Sequence, residues 1–142
     1  MPTLNAYLSF DGDCAAAMKF YERVLDAKLE ALITYAQMPS EPPLPPGEGD
    51  RIMHAYLVHK EFTLMAGDTP PGVPYTGING VMMTLTYPTA AEAQRVFAAL
   101  AEGGTVTMPL GETFWAVKFG AVTDRFGTPW GINGGSKPQA NE

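Results

Sequence analysis

Apolar positions along this chain follow two periods in a fixed order, and that order occurs twice. Residues 3–10, T-L-N-A-Y-L-S-F, read as a strand. From about residue 14 to 25 the period lengthens: Ala17, Phe20, Tyr21 and Val24 recur at the i, i+3, i+4, i+7 spacing of one buried helical face. Asp13 stands where an N-cap belongs. Further strands are expected at about 27–36, 51–59 and 61–67, the last two joined by a tight turn near Lys60 and Glu61. The pattern then restarts at Val81. Its helix carries Ala93, Val96, Phe97 and Leu100 on the buried stripe, opens on the capping box of Thr89 and Glu92, and ends at Gly103-Gly104. Strands at about 105–109, 114–123 and 128–133 complete the second pass.

The two passes match in sequence as well as in period. L-S-F-D-G-D-C-A-A-A-M-K-F-Y (8–21) answers to L-T-Y-P-T-A-A-E-A-Q-R-V-F-A (85–98). Leu8 matches Leu85, Phe10 matches Tyr87 and Phe20 matches Phe97, at a constant offset of 77 residues. A unit of this size occurring twice indicates two fused half-domains, because solenoids need more and shorter units. The predicted fold class is α+β: two tandem strand-helix-three-strand (βαβββ) modules with a cleft between halves. One domain over residues 1–142 is expected, with module one at about 3–68, a Pro- and Gly-rich linker at about 69–80, module two at about 81–134 and a polar tail at 135–142. The first module alone carries a long insertion, Met38 to Asp50. Its five prolines and two glycines exclude regular structure and predict an exposed loop.

Charge and cysteine content narrow the function. The net charge is -6 and the pI about 4.8, which repels phosphate backbones and argues against a nucleic-acid partner. Cys14 is the single cysteine, so no internal disulfide can form, as expected of a cytoplasmic protein. No basic segment followed by an apolar run opens the chain, and no apolar stretch approaches the ~20 residues of a membrane span. Neither a signal peptide nor a membrane partner is expected.

Few residues offer chemistry. His54 lies in a strand where Ile52, His54, Tyr56 and Val58 alternate with Met53, Ala55, Leu57 and His59. Trp115, Val117 and Phe119 share one face of a later strand, as core or as the apolar wall of a ligand site. Lys118 points the other way. Asp68 ends a strand in G-D-T-P-P, and Asp124 opens the hairpin turn D-R-F-G-T-P-W. Two histidines and one cysteine without H-x-H or C-x-x-C spacing give no local metal motif. No G-x-S-x-G holds a serine, and no G-x-G-x-x-G opens a helix after a strand.

The paired strand-helix-three-strand units, together with Y-L-S-F-D-G-D, I-M-H-A, L-M-A-G-D, F-W-A-V-K-F-G and V-T-D-R-F-G-T-P-W, resemble the vicinal oxygen chelate superfamily. That group holds glyoxalase I, extradiol dioxygenases and the fosfomycin- and bleomycin-resistance proteins. More narrowly, these stretches resemble its PhnB-like branch, sometimes labelled a 3-demethylubiquinone methyltransferase domain. The resemblance covers about residues 3–134 and implies that the two tandem βαβββ modules form an open, cup-like mixed sheet, glyoxalase-like. It implies a metal held by the first and last strands of each module, at about Asn5 and Ala66, then Met82 and Gly131. In metal-dependent members these are His, Gln or Glu. Asn, Met, Ala and Gly cannot supply three or four strong ligands, so neither metal nor cofactor is expected. The expected function is binding of a small molecule, with His54, Asp68, Trp115 and Phe119 as ligand-binding residues and no catalytic residue assigned. The alternatives are a metal-dependent lyase or dioxygenase, an acid–base catalyst built on His54, and a non-catalytic dimeric scaffold. A homodimer is expected, because related proteins pair.

Overall fold

The computed structural model describes residues 1–37 and 44–137. The Pro-rich segment therefore falls partly outside the described residues, at 38–43, as does the end of the tail at 138–142. The chain divides into two compact units, Met1–Gly77 and Ile78–Glu142. The first contains β1 (Ala6–Phe10), α1 (Cys14–Val24), β2 (Lys28–Thr34), a 3-10 turn (Tyr35–Gln37), β3 (Ile52–Val58) and β4 (Thr63–Asp68). The second contains β5 (Met83–Tyr87), α2 (Ala90–Ala101), β6 (Thr105–Gly111), β7 (Ala116–Thr123) and β8 (Pro129–Ser136). The 77-residue offset survives folding: β1 and β5 begin at 6 and 83 and end at 10 and 87.

Each unit forms its own four-stranded mixed sheet, in the orders β1-β4-β3-β2 and β5-β8-β7-β6. First and last strands of a unit run parallel; the remaining neighbours are antiparallel. The fold is thus α+β, with paired βαβββ units and open sheets. No helix is long and apolar enough to cross a membrane among the described residues.

The helical stripes bury as the spacing dictates. Ala17, Phe20, Tyr21 and Val24 are buried, joined by Cys14 and Met18. In α2, Ala93, Val96 and Leu100 are buried while Phe97 is only half-buried. Strand alternation supplies the facing layer. In the first unit Leu8, Phe10, Ala55, Leu57, Leu64 and Ala66 are buried on the α1 side. In the second, Trp130, Ile132 and Val122 play that part under α2.

The two helices begin differently. Thr89 caps α2 as expected: its hydroxyl accepts from the Glu92 N–H at 3.2 Å and meets the Glu92 carboxylate at 3.0 Å. Asp13 occupies the α1 N-cap position, but its side chain makes no capping bond. The acceptor comes instead from the end of β4, 55 residues later in the chain (13 to 68). Asp68 Oδ1 accepts from the N–H groups of Gly12 at 2.7 Å and Cys14 at 3.1 Å. Its Oδ2 accepts from the Ile52 N–H, at the start of β3, at 2.8 Å. Asp68 pairs with Phe10 in β1/β4, and Gly134 pairs with Tyr87 in β5/β8, so the two are equivalent. Where the first unit has a capping carboxylate, the second has a glycine over which α2 packs. A Cβ on Gly134 would lie 2.4 Å from the Ala93 Cβ.

The ends of the Pro-rich insertion are clasped. Tyr35 N–H donates to the Arg51 carbonyl at 2.9 Å, and Ala36 N–H to the Gly49 carbonyl at 3.0 Å. The Tyr35 hydroxyl donates to the Asp68 carbonyl at 2.9 Å, and Arg51 donates to the carbonyl and hydroxyl of Thr69.

Candidate ligand-binding site

In each unit the sheet face away from the helix is lined differently from the helix face, and the strand registers say by what. In the second unit Phe119 pairs with Asn133, and Asn133 pairs with Thr86, across three adjacent strands. The Asn133 side chain links both neighbours. Its Oδ1 accepts from the Trp115 indole N–H at 2.9 Å, and its Nδ2 donates to the Thr86 hydroxyl at 3.4 Å.

Trp115 is held at its backbone too. Thr113 Oγ1 accepts from the N–H groups of Trp115 at 3.3 Å and Ala116 at 3.1 Å. The Trp115 carbonyl accepts from the Lys137 N–H at 2.9 Å. The indole meets Phe119 edge-on, with ring centroids 5.4 Å apart, and Phe114 at 4.9 Å. Trp115 stays 37% exposed despite these contacts. The ring is therefore fixed in orientation while still open to a ligand.

Beside it lies a pocket of about 440 Å³ lined by Thr86, Trp115, Ala116, Asn133, Gly135, Ser136 and Lys137. It lies where β8 runs on to Ser136, which pairs with Ala116, past the strand end expected at residue 133. Lys137 Nζ also meets the exposed Glu112 carboxylate at 3.3 Å.

Of the four residues singled out in the sequence, the structure brings Trp115 and Phe119 together. His54 and Asp68 lie in the other unit, on opposite faces of their sheet. The registers put His54 on the face of Tyr56 and Met65, and Asp68 on the face of Ala66. The His54 ring stacks between Tyr7 and Tyr56, at 6.0 Å and 6.4 Å between centroids. Tyr7 reaches over β4 to donate to the Met53 carbonyl at 3.1 Å, a path open only because Gly67 has no side chain there. Burial pushes the Tyr7 phenol above its ordinary value. Asp68 is buried, with its carboxylate engaged by the three backbone N–H groups described above.

Nearby Cys14 has no exposed surface, and burial, reinforced by the Asp68 and Asp13 carboxylates, pushes its thiol up to about 12. It is an inert core thiol at neutral pH. Asp124 likewise serves the fold: its carboxylate accepts from the N–H groups of Phe126 and Thr128 and from the Trp130 indole.

The strand positions that the resemblance associates with a metal need one correction. Ala66 is fully buried on the α1 side, so the residues of β4 facing away from the helix are Met65 and Gly67. A one-residue slip in a strand exchanges its faces. Asn5 accepts a hydrogen bond from the Thr63 hydroxyl. Among the described residues, no group of three or more His, Cys, Asp or Glu side chains is placed to hold a metal ion.

Asn133, Thr86 and Lys137 had not been singled out in the sequence. Alternation in W-G-I-N-G-G carries a signal for the first: Asn133 is the one residue with a polar side chain between glycines on the face opposite Trp130 and Ile132. Thr86 and Lys137 become visible only with the register.

Comparison with known proteins agrees with this architecture. The Glyoxalase/Bleomycin resistance protein/Dioxygenase superfamily matches residues 3–132. Protein YjdN of Escherichia coli K12 is 36% identical over 138 residues, covering 92% of this chain and 93% of that protein. The crystal structure of protein PA1353 from Pseudomonas aeruginosa superposes with a TM-score of 0.87 at 46% identity, covering 94% of this chain and 97% of that one. A Bacillus cereus PhnB protein, described as a putative 3-demethylubiquinone-9 3-methyltransferase, gives 0.77 at 26% identity, covering 93% and 98%.

Proposed function

The chain belongs to the glyoxalase/bleomycin resistance protein/dioxygenase superfamily, and from that premise we propose that it binds a small organic molecule against Trp115 without the superfamily's metal. The observation that carries this reading is the pocket of about 440 Å³ beside an indole fixed through Asn133 yet still exposed. That volume, an aromatic wall and a few convergent polar groups are what a small-molecule site requires. Fixing the ring in advance also lowers the ordering cost of binding. Phe119 extends the wall. His54, flanked by two tyrosines, is proposed as a second aromatic ligand surface.

The metal-free part rests on donor chemistry. An amide stands at Asn5, thioethers at Met65 and Met82, and no side chain at Gly131, where divalent ions need imidazole, carboxylate or thiolate. A homodimer is part of the proposal. Its support is the edge strand β6, which exposes Val106 and Met108, because an unpaired apolar edge favours pairing with another chain. A buried free thiol is compatible with the cytoplasm.

The test is a thermal-shift screen of mono- and bicyclic aromatic compounds, with and without EDTA, followed by fluorescence titration. A ligand should raise the melting temperature, quench Trp115 and be indifferent to EDTA. Trp115→Ala should abolish its binding, while Trp130, buried and bonded to Asp124, serves as the invariant fluorophore. Stoichiometric zinc, iron or nickel in the purified protein would overturn the metal-free reading. A screen without hits would overturn the binding function.

A further inference from the structure

The hydrogen-bonding inventory of the pocket says more than its size. Asn133 Oδ1, a good acceptor, is taken by the Trp115 indole. What remains is biased to donation. The Thr86 hydroxyl accepts from Asn133 and so keeps its own proton to give. Ser136 lines the same space. Among the described residues lining it Lys137 is the one that is charged, and its ammonium has three protons, of which one suffices for Glu112. Glu112 itself does not line the pocket and its side chain is 75% exposed, so that pair is screened and shares Lys137 readily. The protein as a whole carries a charge of -6, a field that discourages anions. A cation at the rim of a donor-lined pocket reverses that preference locally.

The arrangement points to an anionic ligand, and we propose that the pocket takes a small aromatic carboxylate, its ring on Trp115 and its carboxylate on Lys137 and the Thr86 hydroxyl. This rests on the reading of the pocket as a ligand site and adds the charge of what it holds. Lys137 is then a specificity residue: the aromatic wall supplies affinity for any flat ring, and the ammonium selects among rings by charge.

Three probes of one shape separate these contributions: 1-naphthoate, 1-naphthamide and 1-naphthylmethylammonium, titrated by Trp115 fluorescence at low and high salt. Naphthoate should bind about tenfold tighter than the amide, as one charge-assisted contact supplies, and the ammonium should bind most weakly. High salt should narrow the gap. Lys137→Gln should bring naphthoate down to the amide, leave the amide within about twofold and leave the melting temperature of the free protein unchanged. Lys137→Arg should keep the preference. Equal binding of naphthoate and naphthamide by the wild type, or an advantage that survives Lys137→Gln, would overturn the anion assignment while leaving the pocket as a ligand site. Failure of all three probes would remove the ligand site and the assignment together.

Discussion

Replacing Asp68 tests whether one carboxylate holds the first unit together. Three backbone N–H groups converge on it, from Gly12, Cys14 and Ile52, at 2.7, 3.1 and 2.8 Å. In Asp68→Ala all three lose their acceptor. Gly12 is only part-buried and water can replace its bond, whereas the Cys14 and Ile52 bonds are buried. A buried orphan donor costs about 1–3 kcal/mol, so two of them make the expected loss roughly 4 kcal/mol. That is a large share of the ~5–15 kcal/mol by which folded domains exceed unfolded chains. Asp68→Asn separates geometry from charge. Its amide oxygen can still serve Gly12 and Cys14, but its NH2 then faces the Ile52 N–H, donor against donor. About 2–3 kcal/mol should be lost. Urea unfolding followed by circular dichroism gives both numbers, and hydrogen exchange at the Cys14 and Ile52 amides reports the site itself. If Asp68→Asn stays within about 0.5 kcal/mol of wild type with both amides still protected, the stapling argument is wrong. A variant equally stable but defective in ligand binding would instead give Asp68 the ligand role suggested by its place in the sequence.

Three other substitutions probe the same architecture. Thr89→Ala should cost α2 about 1 kcal/mol through its lost cap, while Asp13→Ala should change stability by less than about 0.5 kcal/mol; urea midpoints decide. Gly134→Ala should destabilise by about 2 kcal/mol or more, because the new methyl meets the Ala93 Cβ and the α2 backbone. Gly131→Ala has side-chain atoms of Met82 and Phe119, not backbone, as its nearest neighbours and should cost less by calorimetry. For Cys14 the folded pKa is raised from 9.0 to about 12. Its contribution is complete below pH 9 and falls as pH rises toward 12, because the unfolded chain loses that proton first. The stability difference between wild type and Cys14→Ala, from urea curves at pH 8, 9 and 10, should therefore shrink with pH, by at most about 1.4 kcal/mol per unit.

Much of the fold was legible because periodicity reports burial directly. The α1 stripe and the α2 capping box could be read one residue at a time, and so could the Asp124 turn, since each depends on neighbours within a few positions. What could not be read depends on register. Asp13 and Asp68 are both aspartates at plausible turn positions, and nothing local reveals that the distant one caps α1. Trp115 and Phe119 were legible because they stand four residues apart in one apolar run, although the strand starts at Ala116, just after Trp115, and not at about residue 114. Asn133, which orients Trp115, lies 18 residues away and reaches it only through the β7/β8 pairing. Lys137 fell in a segment whose polarity suggested a tail. The misplacement of Ala66 has the same origin: the strand was right and the face was off by one residue.

The clasp at Tyr35, Ala36, Gly49 and Arg51 has a consequence for how this chain tolerates change. Its bonds run between backbone groups and join the two ends of the Pro-rich insertion to each other. Closing a loop whose ends are already anchored costs only about 0.6 kcal/mol for each doubling of its length. The insertion is thus a port into which foreign peptide could be grafted, on a unit whose remaining connections are short.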